Sequence, residues 1–367
     1  MTKTILITGA GSGFGEGAAF GLARKGHNVI AAAQIYAQVT ELRRKVKQEG
    51  LNNLRVERLD LLDPYDIALA QTWDIDILFN NAGMGECGPV SEIPIDLVRR
   101  NFETNCFAPL VLTQGFIRKW IAEKKPAKIV FTSSMGGLFT PPGYGIYVST
   151  KHALEAFAEA LEFELKPYGI KVQTINPGAY LTGYNETMSE TPFRWLDDSK
   201  NFTKRAQMQQ VFDSLLGTPE GQLDPAEMIN KMIEIVPEDT GKFRNVVPQF
   251  VEDMLKEHQL AAWERRIDDA AVEHHTRVRS RVRLDEAGAL REHPDVAARR
   301  REHAPGDAAR KTAPYHLDLR KLRHRNQTRQ CQRVGIGPEP RPPFSAANAR
   351  AAAFCSASFL LRPAPGP

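Results

Sequence analysis

Residues 4–15 read Thr-Ile-Leu-Ile-Thr-Gly-Ala-Gly-Ser-Gly-Phe-Gly, and this stretch decides the fold class. The run from Thr4 to Thr8 is short, apolar and β-rich, as a buried strand should be. The glycines that follow let the backbone turn tightly and approach a phosphate, while the start of a helix supplies free N–H groups. A glycine-rich surface loop is the alternative, because the spacing is T-G-x-x-x-G-x-G and not the common G-x-G-x-x-G. The strand before the turn and the helix after it favour a nucleotide-binding turn.

Outward from that stretch, short apolar runs alternate with helix-length amphipathic segments. The runs are continuous, as in strands buried on both faces, so they indicate a parallel sheet. We therefore expect an α/β fold, a single doubly wound parallel-sheet Rossmann domain with helices on both faces. The expected strands are Thr4–Thr8, Asn28–Ala33, Leu54–Leu59, Ile75–Phe79, Lys128–Thr132 and Ile170–Ile175, and the main expected helices are Ala37–Glu49, Leu97–Lys124 and Ser149–Tyr168.

The region 179–240 is richer in aromatic and polar residues than the rest of the domain. We expect it to form a substrate loop inserted before the last strand, with helices near Lys204–Leu216 and Pro225–Ile235. A short strand near Lys242–Val247 and a helix at Gln249–Glu264 would complete the domain.

Charge and composition change after about residue 267. Residues 1–267 carry 29 Lys+Arg against 33 Asp+Glu, whereas residues 268–367 carry 19 against 11. The second segment is rich in Arg, Ala and Pro and has almost no periodic hydrophobicity, so we predict a catalytic domain over 1–267 and a disordered tail over 268–367. The same bias suggests a non-native extension. Nucleic-acid binding by this basic tail is disfavoured, because it lacks interleaved aromatic residues and any fold motif.

Other features of the chain disfavour several classes of protein. The four cysteines show neither CxxC nor metal-ligand spacing, so we expect no disulfide framework and no metal site. No stretch is apolar enough for a membrane span, and Met1 leads into the first strand without a secretory signal. We therefore expect a cytoplasmic protein with no membrane association.

A tyrosine and a lysine four residues apart form the candidate proton-transfer pair. On a helix, this spacing puts the side chains of Tyr147 and Lys151 on one face. A phenol is ordinarily too weak an acid to serve as a base at neutral pH, but a nearby ammonium favours the phenolate and lowers its pKa. A surface pair is the alternative, since Tyr-x-x-x-Lys often occurs by chance.

Two more polar residues strengthen this interpretation. Ser134 ends the fifth expected strand, where open α/β sheets place ligand-binding groups, and its hydroxyl can hold a substrate oxygen. Ser133 is the neighbouring alternative, and a strand-end serine is often just a cap. Asn105 lies within an expected helix, where asparagine is unfavourable, so either a functional role or a solvated helix face would explain it.

The end of the second strand leaves the choice of cofactor open. Dinucleotide-binding folds place an acidic residue about 20 residues after the glycine turn to hold the adenosine ribose. This chain has Ala33 and Gln34 there. A 2′-phosphate would be neither repelled by an acid nor strongly attracted by a base, so NAD and NADP are both expected candidates.

The residues together resemble the short-chain dehydrogenase/reductases over roughly residues 2–263. Each matching motif is weak alone, but their shared order and spacing are highly specific. The glycine turn is also similar to that of the hydroxysteroid and retinol dehydrogenase branch. The matching motifs are Thr8–Gly15, Asp60, Asn80-Asn81-Ala82-Gly83, Asn105, Ser134, Tyr147-x-x-x-Lys151, and Asn176-Pro177-Gly178 followed by Thr182.

The resemblance implies an enzyme, an NAD(P)-dependent oxidoreductase that moves a hydride between NAD or NADP and a carbonyl or alcohol. Tyr147 would be the general acid/base, and Ser134 would orient the substrate oxygen. Lys151 would bind the nicotinamide ribose and lower the pKa of Tyr147, and Asn105 would hold a water in a proton relay.

Further roles implied by the resemblance concern the cofactor. Asp60 would contact the adenine, and Asn81 would mainly tie the central strand to the helix that carries Asn105. Pro177, Gly178 and Thr182 would face the nicotinamide and its carboxamide. The implied cofactor contacts are Thr8, Gly9, Gly11, Ser12, Gly13, Phe14, Gly15, Gln34, Asp60, Asn81, Ala82, Gly83, Tyr147, Lys151, Pro177, Gly178 and Thr182.

Partners and substrate follow from the same resemblance. It implies a homodimer or homotetramer formed through the two long helices, here Phe102–Lys124 and Ser149–Tyr168. A lipophilic small-molecule alcohol or ketone is the expected substrate, and the aromatic residues from Tyr180 onward agree with an apolar pocket.

The rival hypothesis is a non-catalytic dinucleotide-binding sensor or scaffold, since a fold does not determine a function. Such a protein needs the glycine turn but has no need of Asn105, Ser134, Tyr147 and Lys151 together. The presence of all four argues against it.

Overall fold

A computed structural model of the chain describes residues 1–267 and two short strands further on, Arg283–Leu284 and Leu290–Arg291. The strands of the main sheet are β1 Thr4–Ile7, β2 Asn28–Ala33, β3 Leu54–Arg58, β4 Ile77–Asn80, β5 Ala127–Thr132, β6 Ile170–Pro177 and β7 Arg244–Val247. They pair in the order β3-β2-β1-β4-β5-β6-β7, and every neighbouring pair is parallel. The predicted doubly wound α/β fold is confirmed.

Helices connect the strands. The α-helices of the described residues are α1 Gly13–Arg24, α2 Tyr36–Glu49, α3 Pro64–Gln71, α4 Ile95–Phe102, α5 Ala108–Ala122, α6 Gly145–Leu165, α7 Tyr184–Ser189, α8 Arg205–Leu216, α9 Pro225–Ile235 and α10 Gln249–Trp263. Short 3₁₀ turns occur at Met135–Gly137, Lys166–Tyr168, Pro192–Arg194 and Pro219–Gly221. The predicted helix Leu97–Lys124 is therefore two α-helices, α4 and α5, joined by a π-helical turn at Glu103–Phe107.

The sheet separates two apolar clusters because alternate side chains of a strand point to opposite faces. Ile5 and Ile7 pack in one cluster, and Leu6 between them packs in the other. Helix α9 lies so close to α1 that a Cβ on Gly21 would be 2.0 Å from Ile233 Cδ1. On the other face, the Trp120 indole is buried and donates to the Ile75 carbonyl oxygen at 3.0 Å. Burying one such large side chain contributes about 1.5–3 kcal/mol.

The sheet topology positions the site. Strands β2 and β3 lie on one side of β1, and β4 to β7 lie on the other, so the winding direction reverses between β1 and β4. Open α/β sheets bind ligands in the crevice at the carboxyl ends of the strands at such a point. A third apolar cluster there joins Cys87 and Tyr147 to Met188 of α7 and to Met208 and Phe212 of α8. The segment predicted to be a substrate loop therefore contacts the predicted acid/base.

The rest of the chain is described only in part. Contacts divide the chain into a unit Met1–Arg283 and a unit Leu284–Pro367. The predicted tail over 268–367 lies outside the described residues, apart from the two short strands, so its boundary, disorder and origin stay predictions. No helix of the described part is long and apolar enough to cross a membrane.

Candidate active site

The turn between β1 and α1 has the geometry that its glycines permit. Gly9 has a φ of +66° and Gly13 a φ of +57°, both in the left-handed region that L side chains rarely adopt. A Cβ on Gly9 would lie 2.6 Å from Ala82 Cα, and a Cβ on Gly15 would lie 2.4 Å from the Gly9 carbonyl oxygen. The turn is as tight as a pyrophosphate site requires, and α1 begins directly behind it.

Thr8 and Asn81 hold this turn against the end of β4. The Thr8 hydroxyl accepts hydrogen bonds from the backbone N–H groups of Asn81 (3.0 Å) and Ala82 (3.1 Å). The Asn81 amide donates to the carbonyl oxygens of Thr8 (3.1 Å) and Gly9 (3.3 Å). These bonds make the turn a rigid wall of the crevice.

The role expected for Asn81 belongs to its neighbour. The Asn80 amide, and not that of Asn81, donates to the Thr113 hydroxyl of α5 at 3.0 Å. This bond ties the central strand to the helix that follows Asn105. The expectation was wrong because consecutive side chains at a strand end point to opposite faces, and Asn81 points to the glycine turn.

The adenosine end of the crevice carries amides. Gln34 Nε2 donates to Asp60 Oδ1 at 3.3 Å, so these two predicted contacts do lie together. Gln38 lies across the turn, where a Cβ on Gly11 would be 2.5 Å from its Cδ. The tight glycine turn fits a dinucleotide, and the side chains after β2 leave the choice between NAD and NADP open.

Asn105 lies in the π-helical turn, where it is 2% exposed. Its Oδ1 accepts from Met84 N (2.8 Å), and its Nδ2 donates to Met84 O (2.8 Å) and to Thr150 Oγ1 (3.0 Å). Single π turns inside α-helices occur often at functional sites. Here the turn aims an amide at both the loop after β4 and helix α6, so the unfavourable mid-helix asparagine has an explanation in contacts.

Tyr147 is buried near the start of α6, and two hydroxyls lie close enough to its phenol to favour a lower pKa. One is Ser134, which follows β5, and the other is Tyr184, the first residue of α7. The Tyr147 and Tyr184 ring centroids are 5.9 Å apart. Ser134 Oγ also accepts from Gly136 N at 3.0 Å and so caps the turn Met135–Gly137, whereas the Ser133 hydroxyl is buried without a partner among the described residues.

Lys151 lies one turn after Tyr147 on the same face of α6. It is 4% exposed, its Nζ donates to Thr132 O at 2.8 Å, and Nζ lies 5.7 Å from the Tyr147 ring centroid. Burial lowers the pKa of Lys151 to about 8, opposed by the nearby Cys106 and Glu155. The ammonium is still the main form at pH 7.

The expected lowering of the Tyr147 pKa is not found in the protein alone. Burial raises the pKa of Tyr147 to about 12, although the nearby Ser134 and Tyr184 hydroxyls act in the opposite direction. The sequence argument weighed the ammonium and not the cost of burying a phenolate, and the effect of Lys151 on the pKa of Tyr147 stays a prediction. Tyr147 is therefore a neutral acid in this state.

These groups converge on Gly83. The position that a Cβ on Gly83 would take lies 3.3 Å from Asn105 Oδ1, 3.7 Å from Lys151 Nζ and 3.8 Å from the Tyr184 hydroxyl. Two of the four predicted catalytic residues, Asn105 and Lys151, are thus gathered beside the Asn81-Ala82-Gly83 motif. Tyr147 lies next to Lys151, whose Nζ is 5.7 Å from its ring centroid.

The remaining predicted contacts lie along the same crevice. Pro177 ends β6, and Gly178 N donates to Val247 O at 2.8 Å. Thr182 lies against the glycine turn, since its Cβ is 3.6 Å from where a Cβ on Gly13 would be. Ser12 precedes α1, and the Phe14 ring packs edge-on against Tyr180 at 5.6 Å.

Sequence reasoning missed two tyrosines of the site. The Tyr184 ring lies 5.9 Å from that of Tyr147, and Tyr144 directly precedes α6 in the same apolar cluster as Tyr147. The chain contains a weak indication of both residues, because each lies close to a residue already predicted for the site. Tyr184 follows Thr182 by two residues, and Tyr144 precedes Tyr147 by three. The spacing alone could not show that their side chains meet.

Comparison with known families decides the identity of this arrangement. The short chain dehydrogenase family model matches residues 3–192. This chain belongs to the short-chain dehydrogenase family. The matched residues include the glycine turn, the Asn81-Ala82-Gly83 motif and all four predicted catalytic residues.

Relatives of this short-chain dehydrogenase point to the same class. It is 37% identical over 186 residues to the uncharacterised oxidoreductase YusZ of Bacillus subtilis, covering 49% of this chain and 66% of YusZ. It is 29% identical over 222 residues to the D-erythrulose reductase of Gallus gallus, covering 58% of this chain and 87% of that protein. A short-chain dehydrogenase/reductase from Burkholderia phymatum, in complex with NAD, has the same fold with a TM-score of 0.61 at 23% identity, covering 74% of this chain and 98% of that one.

Family membership sets the general reaction. The chain is an NAD(P)-dependent oxidoreductase of CH–OH and C=O groups, and its cofactor is NAD or NADP. Within residues 1–267, no group of three or more His, Cys, Asp or Glu side chains could hold a metal ion.

Proposed function

We propose that this short-chain dehydrogenase transfers a hydride between NAD(P) and a carbonyl or alcohol of a lipophilic small molecule, with Tyr147 as the general acid/base. The observation that carries the proposal is the buried phenol of Tyr147, which lies near the Ser134 hydroxyl and beside the buried ammonium of Lys151. The similarity to D-erythrulose reductase supports reduction of a carbonyl.

Proton transfer in the reduction starts from a neutral Tyr147. Because burial raises the pKa of Tyr147 to about 12, its phenol keeps its proton at neutral pH and can donate it to the substrate oxygen. The Ser134 hydroxyl can donate to the same oxygen and stabilise negative charge as it develops. A bound nicotinamide supplies the hydride in this direction and accepts it in the reverse one.

Lys151 stabilises what the proton leaves behind. Its ammonium, 5.7 Å from the Tyr147 ring centroid, favours the phenolate. The bond from Nζ to Thr132 O fixes the amine on the crevice side of α6. Asn105 positions the same helix, because it bonds Thr150, whose hydroxyl donates to Tyr147 O at 2.7 Å.

Apolar side chains above the site support a lipophilic substrate. Met188, Leu196, Met208 and Phe212 are buried in the cluster that contains Tyr147. A pocket with apolar walls and a few convergent polar groups is typical of small-molecule sites.

Exposed apolar side chains support a homodimer or homotetramer through α5 and α6. Val111 of α5 is 50% exposed and Phe163 of α6 is 69% exposed. Helix faces with such residues are typical of subunit interfaces. The cytoplasmic location expected from the sequence stays a prediction.

The test is the substitution Tyr147→Phe. We expect kcat to fall by about 10²–10⁴-fold because the proton donor is lost. The affinity for NADH or NADPH, measured by fluorescence titration, should stay nearly unchanged. The matched control is Tyr168→Phe, since Tyr168 follows the same helix and is exposed.

Two outcomes would contradict the proposal. Full turnover by Tyr147→Phe would remove this residue from the chemistry. Tight cofactor binding by the parent protein without turnover of any alcohol or ketone in a broad panel would favour the sensor or scaffold hypothesis.

A further inference from the structure

Tyr144 is a buried phenol without a hydrogen-bond partner. It lies at the start of α6, is 6% exposed, and its hydroxyl finds no partner among the described residues. Buried polar groups in folded proteins are nearly always hydrogen-bonded, because an unpaired one loses its bonds to water and gains none. An exception inside a ligand site indicates a group that waits for a ligand.

Another buried tyrosine nearby does have a partner, since the Tyr180 hydroxyl donates to Glu227 Oε2 at 3.1 Å. Two further polar groups near the site, the Ser133 hydroxyl and the Trp195 indole N–H, are like Tyr144 buried without a partner among the described residues.

Tyr144 belongs to the same buried cluster as Tyr147, the proposed general acid/base. It directly precedes α6, three residues before Tyr147. This apolar cluster also includes Cys87, and the Tyr144 ring packs edge-on against Phe212 at 5.5 Å.

The charge state of Tyr144 makes it a donor. Burial raises the pKa of Tyr144 well above its ordinary range, so the phenol is neutral over the whole physiological range. A neutral phenol can donate one hydrogen bond to an oxygen acceptor.

We propose that Tyr144 is a specificity-determining residue that donates a hydrogen bond to a second oxygen of the substrate. This inference rests on the proposed function, in which Tyr147 addresses the reacting oxygen. Because the two phenols belong to one buried cluster and are three residues apart, the second oxygen lies close to the reacting carbonyl. The substrate class is therefore hydroxyketones and diketones, with the corresponding diols and hydroxyketones in the reverse direction, and not ketones with a single oxygen.

The experiment compares two ketones that differ by one oxygen, 2,3-hexanedione and 2-hexanone. The measured quantity is the ratio of their kcat/KM values, which removes effects common to both. We expect Tyr144→Phe to lower this ratio by about tenfold, the effect of one lost hydrogen bond. The control Tyr168→Phe deletes an exposed hydroxyl outside the site and should leave the ratio unchanged.

A binding measurement separates this proposal from the proposed function. In the complex with NAD⁺ or NADP⁺ neither ketone can be reduced, so the rise in Tm with each ketone reports binding alone. We expect the dione to raise Tm more than 2-hexanone does in the parent protein, and the difference to disappear in Tyr144→Phe. This result would support the role of Tyr144 even if turnover were absent, whereas absent turnover would by itself overturn only the proposed function.

The stability of the unliganded variant provides the last check. Tyr144→Phe breaks no hydrogen bond within the protein, so its Tm should not fall, whereas Tyr180→Phe should lose a few degrees. An equal rate ratio and equal Tm differences in the parent and Tyr144→Phe would overturn the proposal. A clear fall in the Tm of unliganded Tyr144→Phe would also do so, because it would reveal a structural bond.

Discussion

Two buried lysines mark opposite ends of strand β5. Lys128 lies at the amino end of the strand, and Lys151 reaches the carboxyl end through its bond to Thr132 O. Each is 4% exposed, and burial lowers the pKa of each to about 8. By burial and by pKa the two residues are alike.

Their contacts differ. Lys128 Nζ donates to the carbonyl oxygens of Ile235 (2.9 Å), at the end of α9, and of Glu238 (2.6 Å), between α9 and β7. Lys151 Nζ donates to one carbonyl and lies beside the Tyr147 ring. Titratable neighbours act on both lysines, Asp239 and Glu238 on Lys128 and Cys106 and Glu155 on Lys151. A perturbed pKa therefore reports burial at both ends of the strand, and it indicates function only probabilistically.

The largest expected difference between the two lysines is in turnover. We expect Lys151→Met to lower kcat by about 10²–10⁴-fold, because the phenolate of Tyr147 loses its stabilising cation. Lys128→Met should keep turnover close to that of the parent protein, since its amine contacts only main-chain carbonyls. Steady-state kinetics with either ketone and NAD(P)H would measure both. Comparable losses of kcat in the two variants would contradict the assignment of a catalytic role to Lys151 and not to Lys128.

A smaller difference is expected in the free energy of unfolding. Each Met variant removes a buried ammonium, but Lys128→Met leaves two carbonyls without their donor and Lys151→Met leaves one. Lys128→Met should therefore be the less stable variant by about 1–3 kcal/mol. Urea unfolding at pH 7 would measure this, and Lys128→Arg, which keeps a donor, serves as the control. Equal free energies of unfolding of the two Met variants would contradict this explanation, which rests on the number of carbonyl oxygens left without a donor.

Local patterns account for what could be predicted at the carboxyl end. The glycine turn and the pair Tyr147 and Lys151 are predictable because strand, turn and helix spacing depend on residues close in sequence. The strands followed from continuous apolar runs, with β4 displaced by two residues at its start, where the Asp76 carboxylate accepts from Thr4 N.

Contacts between distant segments could not be predicted. The contact between the Tyr184 and Tyr147 rings requires α7 to fold onto α6, and no local spacing encodes that approach. The π turn around Asn105 depends on its bonds to Met84 and Thr150, which come from two other segments. The raised pKa of Tyr147 likewise follows from burial, which a motif does not report.

The smallest expected effect is a pH dependence that distinguishes the two lysines. The kcat/KM for NAD(P)H in carbonyl reduction reports ionisations of the free protein. Because the pKa of Lys151 is lowered to about 8, its ammonium is present below that pH and is lost above it. We expect kcat/KM to be level below pH 8 and to fall about tenfold per unit above it.

Lys128 has the same pKa, so the assignment of that fall needs a variant of each lysine. Lys128→Met should retain the fall above pH 8, since the ionisation of Lys128 does not affect the site. Lys151→Arg should be slower but level through this range, because a guanidinium keeps its charge beyond pH 12. If instead Lys128→Met abolished the fall, the lysine at the amino end of β5 would control the reaction, and burial and not contact with Tyr147 would be the property that matters.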